Sequence, residues 1–140
     1  MKKKFSKSWK ASRQKRKQKK YRANAPLHIK RKFMSANLSK ELRAKFKKRS
    51  FPLRKGDSVL VMKGEFRKKK GKIALIDLSK IRVAIEGIQK TKKDGTKVNV
   101  NFSPSNLQIQ ELNLDDKKRL KAIERNTKIK PSGKSKENAS

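Results

Sequence analysis

The first fifty residues hold 21 Lys and Arg against a single acid, Glu41. Like charges at that density repel, so a segment carrying them does not collapse on itself without a counter-charge. The rest of the chain shares the bias, with 44 Lys and Arg against 11 Asp and Glu and a formal net charge of +33 over 140 residues. A neutral partner gives no reason for such an excess. A polyanion does, and nucleic acid comes first because each phosphate contact releases counterions. An anionic membrane surface comes second. Only 32% of the residues are hydrophobic, below the usual ~45–50%. The expectation is one domain with a small core and basic, poorly structured extensions.

Cysteine is absent, which removes disulfides, thiolate chemistry and cysteine-ligated zinc together. It also fits a reducing compartment. No apolar run approaches the ~18 residues of a membrane span, and the basic N-terminus lacks the apolar stretch of a secretory signal. A cytoplasmic protein without a membrane span is the default.

Residues 1–24 read as a basic arm broken by Phe5, Trp9 and Tyr21. Its apolar spacing is too sparse for a packed helix. Either it is a solvated tail, or RNA orders it and its aromatics stack on unpaired bases. Residues 25–50 change pattern to a helical, basic extension. Pro26 suits a helix start, with Leu27, Lys30, Arg31 and Met34 on one surface and Phe33 beside it. A second helix is announced by Asn37 or Ser39 as N-cap, with Leu38, Leu42 and Phe46 as its apolar stripe. Pro52 stops it.

Residues 51–112 switch to period two, the signature of strands. Val59 and Val61 alternate; Ile73 and Leu75 lead a run to Leu78. Ile81, Val83 and Ile85 follow, then Val98, Val100 and Phe102, then Leu107 and Ile109. Asp94-Gly95 marks a tight turn that needs positive φ, ringed by Lys90, Lys92, Lys93 and Lys97. Five short strands point to a mainly β fold, a small barrel, because an open sheet of this size leaves unprotected edges. Residues 113–129 read as a C-terminal helix capped by Asp115, with Leu120 and Ile123 inward. Residues 130–140 read as a disordered tail.

One stretch has a recognisable spacing: Lys55-Gly56-Asp57, Val59 to Gly64, Arg67, then Lys70-Gly71-Lys72-Ile73. It resembles the KOW motif, a strand–loop–strand unit of RNA-linked SH3-like barrels. Gly64 and Gly71 bracket a loop that must bend, where glycine permits positive φ and close approach of a phosphate backbone. Lys68 stands where many KOW loops carry Gly. Residues 24–32 and 34–43, with Arg49 to Asp57, Asp94-Gly95-Thr96 and Ser103 to Leu107, extend the likeness over roughly residues 22–112. They resemble the large-subunit ribosomal protein family numbered twenty-four in the universal scheme and twenty-six in eukaryotes, in its archaeal and eukaryotic branch. That resemblance implies an SH3-like (KOW) barrel that binds large-subunit rRNA, acts early in subunit assembly and lies near the peptide tunnel exit, beside other ribosomal proteins.

The residues expected to meet RNA are Arg13, Lys15, Arg16 and Arg22 of the arm, and His28, Lys30, Arg31, Lys32, Lys40 and Arg43 of the extension. Around the motif they are Arg54, Lys55, Lys63, Gly64, Phe66, Arg67, Lys68, Lys69, Lys70, Gly71 and Lys72, and at the hairpin Lys90, Lys92, Lys93 and Lys97. Phe66 either stacks on a base or packs against the barrel mouth. Asp57 is expected to fix a turn, and Asp77 and Glu86 to balance nearby cations. A single histidine builds no metal site, no Ser or Thr has a base partner for nucleophilic work, and the glycines do not form a Walker loop. No enzyme, cofactor or small-molecule substrate is expected. The rival classes are a KOW-bearing elongation factor, a DNA-compacting protein and an enzyme acting on RNA. Binding to RNA polymerase, equal affinity for duplex DNA, or turnover lost with one residue would favour each in turn.

Overall fold

Alternating side chains in the central third sort onto two faces, and one face is the core. Val59, Val61, Ile73, Val83, Ile85, Leu107 and Ile109 are each no more than 1% exposed. The structure, a computed structural model, describes residues 5–127. In chain order, after a 3-10 turn at Lys7–Ala11, come α1 (Lys15–Asn24), α2 (Leu27–Phe33), β1 (Ser35–Leu38), α3 (Lys40–Phe46), β2 (Ser50–Pro52) and β3 (Ser58–Val61). There follow β4 (Lys70–Asp77), β5 (Arg82–Thr91), β6 (Lys97–Phe102), a 3-10 turn at Pro104–Asn106, β7 (Leu107–Glu111) and α4 (Lys117–Thr127). The tail expected to be disordered, residues 130–140, lies outside the described residues, as do residues 1–4 of the arm.

The strands form one sheet in the order β2-β1-β7-β3-β4-β5-β6. The five strands read from periodicity are β3 to β7, a meander whose last strand returns beside its first. That is the SH3-like arrangement. β4 serves both halves of the sheet, and its register against β5 shifts between Ile73 and Leu75. Such a bulge bends a strand and increases its twist. The bend turns Ile73 fully inward and leaves Leu75 59% exposed. No ladder joins β6 to β2 among the described residues, so the sheet coils around the core as a partly open barrel.

Two strands were not legible in the sequence. β1 lies between two helices and runs parallel to β7, with Leu38 opposite Ile109. β2 pairs with β1, with Ala36 opposite Phe51. Residues 25–50 thus share a sheet with residues 51–112. Pro52 ends an edge strand here, where its missing N–H costs no ladder bond. A three-residue edge with a proline also offers little to a stray strand.

Ser39 is the N-cap of α3, its Oγ accepting from Leu42 N at 3.3 Å. Leu42 and Phe46 face the core as expected. The arm differs from expectation, because residues 15–24 form a helix. One aromatic anchors it: Tyr21 is 7% exposed and packs against a tilted Phe5 ring at 4.9 Å and edge-on to Phe33 at 5.9 Å. Phe5 and Tyr21 pack on each other, so they are not free to stack on bases. The Gln18 side-chain amide donates to the carbonyls of Trp9, Lys10 and Ser12 and ties the first turn to α1.

At the other end, the cap of α4 is Asp116 and not Asp115. Asp116 Oδ1 accepts from Lys118 N at 2.8 Å, and its carbonyl accepts from Arg119 and Leu120 N. Ile123 is buried, whereas Leu120 is 36% exposed. Its place on the inward face is taken by Arg119.

Candidate nucleic-acid interface

The β3–β4 loop is held in shape by backbone hydrogen bonds. Arg67 N donates to Gly64 O, Lys68 N to Val61 O, Lys69 N to Phe66 O, and Val61 N back to Lys69 O, at 2.9–3.2 Å. Gly64 takes φ +97° with open space around it. Lys68 takes φ +70°, the left-handed conformation that glycine adopts freely and other residues adopt at a cost of about 1–2 kcal/mol. The loop therefore keeps the shape that a glycine allows, with a lysine in that place. Phe66 packs inward, edge-on to Phe102 at 6.0 Å, while Lys69 lies 5.2 Å over its ring. Of the two expected roles, the geometry gives it the packing one.

Gly71 does something other than bend the loop. It sits inside β4, and a Cβ there would lie 2.6 Å from Ile85 Cγ2 and 3.0 Å from the Glu86 carbonyl. The absent side chain lets β5 close over β4, and what approaches that backbone closely is protein.

Lys63, Arg67, Lys68, Lys69, Lys70 and Lys72 are all exposed around this loop. The β5–β6 hairpin adds Lys90, Lys92, Lys93 and Lys97, also exposed. Its tip is a three-residue loop, Lys92 N donating to Thr96 O with Gly95 at φ +84°. Asp94 Oδ1 accepts from Thr96 Oγ1 and N, and these bonds, the side-chain one first, hold its carboxyl below the usual range. Lys90 Nζ meets Glu65 at 3.0 Å. An exposed pair like this contributes little stability, but it brings hairpin and loop side by side as one basic surface.

Other expected residues are spoken for. Arg54 pairs with Asp116, and Arg43 Nε donates to the Leu38 carbonyl at 2.8 Å. Lys55 and Lys40 are exposed, as are Arg13, Lys15, Arg16, Arg22, His28, Arg31 and Lys32 along α1, α2 and the turn before them. Lys30 is half-buried. Asp77 caps the β4–β5 turn, accepting from Ser79 and Lys80 N, where charge balance was expected.

At the end of β3 opposite this loop sits a buried ion pair that periodicity could not reveal. Asp57 fixes its turn as expected, Oδ2 accepting from Arg54 N at 2.8 Å. It also binds Arg119, 62 residues away, through two oxygens at 2.6 and 2.7 Å. Arg119 donates further to the carbonyls of Asn113 and Pro52 and stacks 5.4 Å over Phe51. Lys48 covers the same ring and donates to the Ala122 carbonyl. Together these contacts clamp α4 to the turn that precedes β3. A charged residue in register with Ile123 was the one signal in the sequence, and it did not identify a partner.

No cluster of metal-ligating side chains occurs among the described residues, and none of their helices is long and apolar enough to cross a membrane. Comparison with known proteins matches residues 12–126 to the family of ribosomal proteins called L26 in eukaryotes and L24 in archaea. The chain belongs to this family. It is 45% identical over 114 residues to the large ribosomal subunit protein uL24 of Methanosphaera stadtmanae, covering 81% of this chain and 97% of that one. It is also 45% identical over 109 residues to the protein of the same name from Korarchaeum cryptofilum, covering 78% and 83%. The match takes in α1 to α4, so the family likeness reaches beyond the barrel into the arm and the clamped C-terminal helix.

Proposed function

We propose that this chain is a structural constituent of the large ribosomal subunit and binds large-subunit rRNA through the β3–β4 loop and the β5–β6 hairpin. The observation that carries the reading is the pairing of family membership with a rigid, basic loop. Its cations are exposed on a backbone already held in one conformation, so little ordering entropy opposes binding. Most contacts then go to phosphate and sugar and read RNA shape. The α1 and α2 cations extend the surface into neighbouring grooves. The role is passive: binding favours one RNA fold and shifts the population towards it. Early action in subunit assembly, a position near the peptide tunnel exit, contacts with adjacent ribosomal proteins and a cytoplasmic location complete the proposal.

The test is salt-dependent binding to a structured fragment of large-subunit rRNA. Arg67→Ala with Lys70→Ala weakens binding and makes the log–log salt slope shallower by about two units at most, since each phosphate contact contributes ~0.9. Unchanged affinity and slope would remove the loop from the interface.

A further inference from the structure

Between the helical arm and the barrel lies a cleft of about 820 Å3, away from the β3–β4 loop. One wall carries Lys19, Arg22 and Lys32 from α1 and α2, and the other carries Lys80 from the β4–β5 turn and Arg82 at the start of β5. Lys7 and Lys10 of the turn before α1 line the cleft as well. No Asp or Glu lines it among the described residues. Cations from α1, α2 and the β4–β5 connection thus line one space, with Asp77, across the ladder from Arg82 and bonded to the Lys80 N–H, as the nearby acid; the excess of positive charge favours a polyanion in the cleft. The walls are not only charged: Phe33, Ile29 and Ile81 supply apolar surface.

The lip of the cleft is also strained. Ile81 takes φ +55°, a true outlier for a β-branched residue, and backbone strain of this kind clusters at ligand clamps. Asp77 fixes the same turn from behind by accepting from Ser79 and Lys80 N at 2.9 and 3.0 Å. Lys80 and Arg82, on either side of Ile81, are thereby held at the cleft.

We propose that this cleft is a second RNA site, which takes a short unpaired segment, its phosphates between the two walls and a base against Phe33. The inference rests on the reading that the chain binds RNA. Its volume falls within the ~300–1,000 Å3 of clefts that enclose small ligands; a duplex is too wide to enter and meets only the rim. A nucleotide strand offers both elements that the walls ask for, a regular anionic backbone and planar rings that stack.

The experiment uses the full chain and a fluorescent oligouridylate carrying 4-thiouridine, with a structured large-subunit rRNA fragment alongside. Lys80→Ala with Arg82→Ala weakens oligouridylate binding about tenfold and makes its salt slope shallower by about 1.4, at ~0.7 per phosphate for single strands. The charge-matched pair Lys117→Ala with Lys121→Ala, on α4, changes it less than about twofold, as expected for cations outside the cleft. Photo-crosslinks fall within residues 27–35 and 79–82, a readout that needs no variant. Equal loss from both pairs, crosslinks confined to residues 62–70, or displacement by polyglutamate as effective as by RNA would overturn the cleft site while leaving RNA binding in place. Failure of the wild-type chain to bind either RNA would instead remove the reading on which the site rests.

Discussion

Removing the Arg119 guanidinium should cost more stability than any other single change to a charged group described above. In Arg119→Met the aliphatic stem remains, but Asp57, with no exposed surface, loses both close guanidinium contacts. Breaking a buried pair by deleting one partner costs about 3–5 kcal/mol, because a charge stays buried without compensation. Asp57 still accepts from the backbone N–H groups of Arg54 and Asn113, which puts the loss near the lower end, about 3 kcal/mol. A domain is stable by only ~5–15 kcal/mol, so the effect is large. Urea unfolding of the free protein reads it: at slopes of ~1–3 kcal/mol per molar, the midpoint falls by about 1–3 M. Amides of α4 should also exchange before those of β3 and β7, since the clamp is lost first. A loss under ~1 kcal/mol, the value of an exposed pair, would show instead that water reaches Asp57 and that the pair is not a buried one.

Three further outcomes follow from the same geometry. Gly71→Ala destabilises by about 1–3 kcal/mol in thermal or urea unfolding, because its Cβ overpacks against Ile85 and the Glu86 carbonyl; a neutral result would mean that β5 moves aside freely. Lys68→Gly relieves the left-handed backbone and raises stability by up to about 1 kcal/mol, while one lost phosphate contact makes the RNA salt slope shallower by about 0.9; lower stability would show that φ +70° is not a strain. The Asp116 carboxyl is held below its ordinary value of 3.8, first by the Lys118 N–H and then by Arg54. A depressed folded value means that its contribution is present above the unfolded value and lost as pH falls through the folded one. Carboxyl-carbon NMR of Asp116 should therefore titrate below 3.8, with α4 fraying in that acid window; titration at or above 3.8 would contradict the cap.

The barrel was legible because its core obeys period two. Val59 and Val61, Val83 and Ile85, Leu107 and Ile109 each alternate, and each pair became one buried face. β1 was hidden by a competing pattern: Leu38 belongs both to the strand's inward positions and to the helical stripe Leu38, Leu42, Phe46. Burial of Tyr21 made a helix of the arm, and one aromatic with partners at residues 5 and 33 leaves no periodic trace. Gly71 was read as a loop glycine because spacing cannot distinguish a bend from a close strand contact. The Asp57–Arg119 clamp and the meeting of the Lys80–Arg82 lip with α1 and α2 depend on chain segments brought together from afar, and no local signal encodes such meetings. Loop and hairpin cations were identifiable by residue type, whereas the ties at Arg43, Arg54 and Lys90 came only with geometry.

An integral, RNA-bound part of the large ribosomal subunit stays with that subunit when weakly held proteins are stripped away. Sucrose-gradient sedimentation of native lysate, before and after a moderate salt wash, reads this when the protein is followed by mass spectrometry. The protein is expected to travel stoichiometrically with the large subunit through the wash, since many phosphate contacts and a preorganised surface hold it there. Migration with RNA polymerase, with chromatin or at the top of the gradient would contradict membership of the subunit and leave only a basic barrel.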